Sequence, residues 1–208
     1  MESPLCRPDT RLIETFGWDE TGFRRLEAHL ARARASAQAL GFRWDRRAID
    51  TALAGVSGDA ALRVRLTIGQ AGDAEVTTAP LAPNPPRWIA GLATERLASD
   101  APLLRHKTTE RAIYDQARAR LPEGLDEVIF LNERGEVCEG TITNVFVERG
   151  RTLLTPPLAS GLLPGVLRAE LLAAGRAQEA ALTPDDLRGA RVFLGNALRE
   201  LIPTLVLG

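Results

Sequence analysis

Residues 138–146 read Cys138-Glu139-Gly140-Thr141-Ile142-Thr143-Asn144-Val145-Phe146. A carboxylate here precedes a glycine and two hydroxyl residues, and the run from Thr143 to Val147 then reads as a hydrophobic strand. At the entry to such a strand Glu139 can project from the strand end into a cavity. Carboxylates rarely bury without a cationic partner. On this stretch alone Glu139 therefore reads as an exposed turn acid, as Glu133 and Glu136 do.

Further along, Gly161-Leu162-Leu163-Pro164-Gly165-Val166-Leu167-Arg168 places two glycines around a turn just before a helix that runs through Leu172. The free N–H groups and positive end of a helix make an anion site around Gly165, Val166 and Leu167. In isolation the stretch reads first as an ordinary loop-to-helix junction, since short glycine motifs recur by chance. Upstream, Leu103-Leu104-Arg105-His106-Lys107-Thr108-Thr109-Glu110-Arg111 holds the single lysine of the chain. Of 26 basic residues, 25 are arginine. Such an excess fits the base composition of coding DNA, because most surface cations can be either residue. A lone lysine then marks a position where guanidinium fails, since Lys can lose its proton and act as an amine nucleophile whereas Arg stays charged. The bland alternative is one lysine that escaped replacement, and composition does not decide between them.

The chain around these stretches divides in two. Arg11 to Phe16 reads as a strand and about Thr21 to Leu40 as a helix, with Phe23, Leu26, Leu30, Ala33, Ala37 and Leu40 forming one apolar stripe ended by Gly41. Arg32 lies on the flank of that stripe with His29 one turn earlier. It is placed to reach a phosphate, or is one more solvated arginine. Leu62, Val64, Leu66 and Ile68 alternate with polar residues as a half-buried strand, and Gly69 to Asp73 turns it into a hairpin partner at Ala74 to Thr78. Pro80, Pro83, Pro85 and Pro86 make a stiff connector, which sets a domain boundary at 81–86 between residues 1–80 and 87–208. Beyond it, Trp88 to Leu92, Val128 to Leu131 and Val192 to Leu194 read as strands and Thr109 to Arg120 as a helix. Thr183-Pro184-Asp185-Asp186 is a helix start.

Length and charge narrow the class. At 208 residues the chain has core enough for one large domain or two small ones. Acidic and basic residues nearly cancel at a net charge of −1, which argues against a nucleic-acid scaffold. No apolar run reaches the roughly 18 residues of a membrane span. The opening Met1-Glu2-Ser3-Pro4-Leu5-Cys6 lacks a basic then apolar leader, and two lone cysteines fit a reducing cytosol. A cytoplasmic protein is expected, with no membrane or nucleic-acid partner. Two His and two Cys at unrelated intervals give no metal-ligand spacing.

Each signal is weak alone, but their order is specific. Arg32 in Glu27-Ala28-His29-Leu30-Ala31-Arg32, the Lys107 stretch, Glu139 to Phe146, Thr155-Pro156-Pro157-Leu158, the Gly161–Arg168 loop and Gly195-Asn196-Ala197-Leu198-Arg199 follow one another along the whole chain. This set resembles the fold-type IV, pyridoxal-phosphate-dependent family, which includes branched-chain and D-amino-acid aminotransferases and 4-amino-4-deoxychorismate lyase. The resemblance implies an α/β (α+β) fold of two domains, a small N-terminal α/β domain and a larger C-terminal α/β barrel-like domain that binds the cofactor. It implies Lys107 as the Schiff-base lysine and Glu139 as the partner of the pyridine nitrogen. Gly165, Val166, Leu167 and Arg32 are then phosphate ligands, Asn196 is a cofactor-side residue, and Ala197 and Leu198 face the substrate, with Arg199 a candidate for its carboxylates. The chemistry suits these types: a neutral amine attacks and shuttles protons, and a carboxylate favours the pyridinium that makes the ring an electron sink.

Within the family the aminotransferase branches use several tyrosines around the substrate, whereas this chain has one, Tyr114. The His106–Arg111 and Gly195–Arg199 stretches look most like the lyase, particularly the lyase-like domains fused to aminodeoxychorismate synthase. The resemblance thus implies pyruvate and 4-aminobenzoate release for folate synthesis from a small-molecule substrate, a homodimer, and a functional link to the synthase. The alternative is transamination of branched-chain or D-amino acids with 2-oxoglutarate.

Overall fold

A computed structural model of the chain describes residues 5–207, so most of the Met1–Cys6 opening read above for targeting lies outside the described residues. Among those described, no helix is long and apolar enough to cross a membrane. They divide into two units. The first is the chain up to Pro83 with His106–Glu110, and the second is Asn84–Arg105 with everything from Arg111 onward.

The first unit runs β1 (Leu12–Asp19), β2 (Gly22–Phe23), α1 (Leu26–Leu40), α2 (Arg46–Ala54), β3 (Leu62–Ile68) and β4 (Ala74–Pro80). The strands form one antiparallel sheet in the order β2-β1-β3-β4. Val64, Leu66 and Ile68 are buried as their alternation requires. The helix expected from Thr21 begins only at Leu26. Asp19 explains the delay: its Oδ1 accepts from the Thr21 amide (3.0 Å) and hydroxyl (2.6 Å), and its Oδ2 from Arg24 Nη2 (2.8 Å). These bonds fold residues 19–22 into a turn, and Phe23 pairs back on Trp18. They also hold the Asp19 carboxyl down at about 2, the Thr21 hydroxyl first among the causes. Helix α2 went unread; Asp45 caps it by accepting from the Ala48 amide (3.1 Å), and Ile49 and Leu53 bury one turn apart.

Segment His106–Glu110, expected within 87–208, groups with the first unit because it runs along β1. Ile13 N–H donates to the Lys107 carbonyl (2.8 Å) and Thr109 N–H to the Arg11 carbonyl (2.9 Å). Leu12 and Thr108 form an antiparallel bridge. Thr109 and Glu110 are thereby tied to Arg11 and Thr10, and the helix predicted from Thr109 begins at Ala112, with Arg111 just before it.

The second unit contains β5 (Trp88–Leu97), α3 (Ala112–Ala119), β6 (Glu127–Asn132), β7 (Val137–Gly140), β8 (Asn144–Arg149), β9 (Thr152–Thr155), α4 (Val166–Ala173), β10 (Ala177–Glu179), α5 (Pro184–Leu187), β11 (Val192–Asn196) and β12 (Glu200–Val206). Strands β8-β11-β12-β5-β6-β7 form a sheet that closes into a six-stranded barrel because β7 also pairs with β8; β9 and β10 extend from β8. The α/β fold with a barrel-like second domain is thus the architecture found. The barrel core includes Ile129, Leu131, Val137, Val145 and Leu194. Every residue of β6 is buried, since Val128 and Phe130 pack on the other side with Ile113 and Ala117 of α3. Phe146 likewise packs against Leu167 and Leu171 of α4, and burying each of these side chains contributes about 1.5–3 kcal/mol. The helix start at Thr183 is a capping box with Asp186.

Candidate active site

The barrel closes on one rung, Glu139 opposite Asn144. Glu139 is 6 % exposed, so it is not the solvated turn acid that its local sequence suggests. Its Oε1 accepts from the Tyr114 hydroxyl (2.7 Å) and its Oε2 from the Leu163 amide (3.1 Å). Asn144 holds the same loop from the other side, its Nδ2 donating to the Leu163 carbonyl (3.1 Å). Two residues facing each other across the seam thus fix both peptide groups of one loop residue.

That loop leads into α4. Gly161 adopts a φ of +87°, and a Cβ there would lie 2.6 Å from Ser99 Cα, so only glycine fits. Gly165 takes the position before the first helical turn, with an extended backbone (φ −65°, ψ 143°) and no side-chain cap on the helix amides. A Cβ on Gly165 would lie within 1.9 Å of Asn144 Oδ1. The side chains of Val166 and Leu167 are buried, so what these residues offer at the helix start is backbone N–H. An α4 N-terminus uncapped by side chains, with glycine before it, is suited to an anion.

A second buried acid, Glu127 on β6, organises the turn between β7 and β8. Its Oε1 accepts from the Thr141 amide (3.1 Å) and hydroxyl (2.6 Å), and its Oε2 from the Ile142 amide (3.3 Å). Ile142 in turn accepts from Asn196 Nδ2 (3.0 Å), while Asn196 Oδ1 accepts from the amides of Leu198 (3.0 Å) and Arg199 (2.8 Å). The Asn196 side chain, expected on the cofactor side, here braces the turn that carries Ala197, Leu198 and Arg199. Ala197 is 7 % exposed. Arg199, the candidate for substrate carboxylates, is drawn to the end of the proline-rich segment: its Nη1 donates to Asn84 Oδ1 (3.1 Å), and Asn84 Nδ2 donates to the Arg199 carbonyl (2.6 Å).

The other two expected residues belong to the first unit. Lys107 is half-buried in the segment paired with β1, and its neighbours are pinned: His106 Nδ1 lies 3.0 Å from Ser36 Oγ, and Glu110 Oε1 accepts from the Thr10 hydroxyl (2.6 Å). Arg32 is clamped on Glu14, its Nε at 2.9 Å from Oε1 and its Nη2 at 2.5 Å from Oε2. His29 Nδ1 meets the same carboxylate at 2.6 Å. The nitrogen donates here, since an ionised carboxylate only accepts. Burial alone would raise the Glu14 carboxyl, but the Arg32 charge and the hydrogen bonds from His29 and Arg32 outweigh it and hold it below the usual range.

Glu14, Glu127, Asn144 and the Tyr114–Glu139 bond went unread in the sequence. A signal existed for Glu14, which shares the period-two face of β1 with buried Leu12 and Phe16. A charge on such a face needs partners, and His29 and Arg32 sit one turn apart on α1. No comparable pattern marks the others.

Chemically, the second unit pairs a buried carboxylate held by neutral donors with a helix N-terminus prepared for an anion. The first unit, by itself, carries an amine, Lys107, and a guanidinium, Arg32. These types fit a phosphorylated pyridine aldehyde: a carboxylate for its ring nitrogen, backbone amides for its phosphate and a lysine for its carbonyl carbon.

The model of the amino-transferase class IV family matches residues 11–205. A Schizosaccharomyces pombe protein provisionally named an aminodeoxychorismate lyase is 32% identical over 204 residues, 93% of this chain and 88% of that one. The crystal structure of a Mesorhizobium loti protein, provisionally named an amino-acid aminotransferase, superposes with a TM-score of 0.90 at 47% identity, covering 96% of this chain and 100% of that one. The 4-amino-4-deoxychorismate lyase of Pseudomonas aeruginosa is similar with a TM-score of 0.79 at 25% identity, covering 94% and 82%. With a barrel closed at Glu139, the helix start at Gly165 and a family match over nearly its whole length, the chain belongs to the class IV aminotransferase family of pyridoxal-phosphate-dependent enzymes.

Proposed function

We propose that the chain is a cytoplasmic pyridoxal-phosphate-dependent 4-amino-4-deoxychorismate lyase that releases pyruvate and 4-aminobenzoate. One observation carries the choice within the family: the only tyrosine, Tyr114, is bonded to Glu139, so its hydroxyl serves a carboxylate of the protein rather than a substrate. The S. pombe relative supports the same reading over 93% of this chain.

In this reading the Gly165, Val166 and Leu167 amides and Arg32 hold the cofactor phosphate, and Glu139 receives the ring N–H. When bound, the cofactor supplies an electron sink for the negative charge that develops at the substrate carbon. Lys107 in its neutral form takes the proton from the carbon bearing the substrate amine. The enolpyruvyl group then leaves, is protonated to pyruvate, and the six-membered ring becomes aromatic. The Ala197–Arg199 turn, braced by Asn196, lines the substrate side.

Transamination is the second reading, favoured by the 47% identity to the M. loti protein. It uses Lys107 for the same proton and differs in needing a 2-oxo acid acceptor. Incubation with 4-amino-4-deoxychorismate and no oxo acid separates the two. Stoichiometric pyruvate and 4-aminobenzoate support the lyase. Their absence, with rapid amine transfer from an L- or D-amino acid to 2-oxoglutarate, makes the chain an aminotransferase.

A further inference from the structure

Glu139 is gripped by two donors from separate elements: the Tyr114 hydroxyl of α3 on Oε1 (2.7 Å) and the Leu163 amide of the loop before α4 on Oε2 (3.1 Å). We propose that Tyr114 is a positioning residue for Glu139, holding that carboxylate aimed for the ring nitrogen of the cofactor. The inference rests on the reading of Glu139 as the ring-nitrogen partner.

The surroundings of Tyr114 are built for a fixed hydroxyl. Its ring stands edge-on to Phe130, with centroids 5.2 Å apart and planes at 76°. The Arg111 guanidinium lies 5.5 Å over the ring centroid, and is itself tied to Asp115 Oδ1 (2.7 Å) and the Thr141 carbonyl (3.0 Å). Burial first, and the Glu139 charge second, push the phenol well above its ordinary value, so Tyr114 stays a neutral donor. Burial likewise pushes the adjacent Cys138 thiol up to about 12, so no second anion forms beside the pair. A donor to a carboxylate favours its ionised form, and charge-assisted bonds of this kind are about twice as strong as neutral ones. Without the hydroxyl, Glu139 loses the bond that aims its Oε1, and a carboxylate less firmly aimed would hold a ring N–H less well. The chain thus commits its single tyrosine to Glu139.

The test compares holoenzymes of the wild type, Y114F and E139Q, each loaded with pyridoxal phosphate labelled with nitrogen-15 in the ring. In Y114F, kcat should fall about tenfold, the scale of losing one hydrogen bond to a charged group, with KM within about twofold. The ring-nitrogen signal should move toward that of the unprotonated ring, which a side chain that only packs would not cause. If E139Q leaves the nitrogen signal and turnover unchanged, the reading of Glu139 itself fails. If E139Q moves the signal and Y114F does not, Tyr114 has no positioning role and this inference alone is overturned. Should Y114F not fold, the single tyrosine allows replacement by 3-fluorotyrosine without touching another site. A fluorine signal that shifts when the apo-protein is loaded, and shifts less in E139Q, supports the proposal; one indifferent to loading overturns it.

Discussion

Glu139 and Asn144 oppose each other on the single rung that joins β7 to β8, and each takes one polar group of Leu163, the amide by Glu139 (3.1 Å) and the carbonyl by Asn144 (3.1 Å). The acid expected at the ring nitrogen and the loop expected at the phosphate are thereby one hydrogen-bonded piece. A shift of either is felt by the other, which under the proposed function would couple the residue for the cofactor ring to the loop for its phosphate.

Gly165→Ala should break that coupling. The new Cβ would lie within 1.9 Å of Asn144 Oδ1, so Asn144 must turn away and give up the Leu163 carbonyl. Overpacking of this kind costs about 1–3 kcal/mol. Affinity for pyridoxal phosphate, measured by titrating the apo-protein, should fall by about tenfold or more, since 1.4 kcal/mol is a factor of ten. Asn144→Ala should relieve the clash, so the double variant should lose less than the two single losses combined. Additive losses would show that Gly165 and Asn144 do not act together.

Lys107→Ala should remove the visible absorbance of the bound cofactor and all turnover. In the wild type, borohydride should fix pyridoxal phosphate on the peptide that contains Lys107. As this is the only lysine, mass spectrometry of the reduced protein should find one labelled peptide. Label on the N-terminal peptide instead would move the amine elsewhere.

A homodimer is expected, because each of the two units has a limited core of its own. Leu205 and Leu207 are 43 % and 48 % exposed. Sedimentation at micromolar concentration should give twice the chain mass. A fully active monomer would contradict the expectation.

The parts of this fold legible in the sequence are those with local causes. The β3–β4 hairpin follows from alternation and a glycine turn, and the α5 start from Thr183 and Pro184. Short strands β9, β10 and β7 carry no such pattern; they pair only because the barrel presents them with neighbours. Thr109 and Glu110 have helical character but are bonded to Arg11 and Thr10, contacts about 100 residues apart in sequence that no local window contains. The site divides in the same way. Lys107 stands out by composition and Gly165 by its helix start, whereas Glu127 is an ordinary acid in sequence. Its role follows from the turn that folds over it.

Glu14→Gln tests the buried cluster on which Arg32 depends. The Glu14 side chain is 2 % exposed and shares its oxygens with Arg32 and His29. Removing one member of a buried ion pair leaves the other charge uncompensated and costs about 3 kcal/mol, which urea unfolding at pH 7 should report. The pH dependence has a definite sign. The folded carboxyl is held below its ordinary value of about 4.5, so the unfolded chain binds a proton first as pH falls. The stabilisation is complete above about 4.5 and is lost as pH drops through the lowered folded value. Wild type and Glu14→Gln should therefore converge as pH falls below about 4.5. A difference that persists unchanged in acid would mean that the charge at Glu14 does not hold the cluster. With Arg32 released from its clamp, the variant should also bind pyridoxal phosphate more weakly at pH 7 while binding pyridoxal, which lacks the phosphate, unchanged.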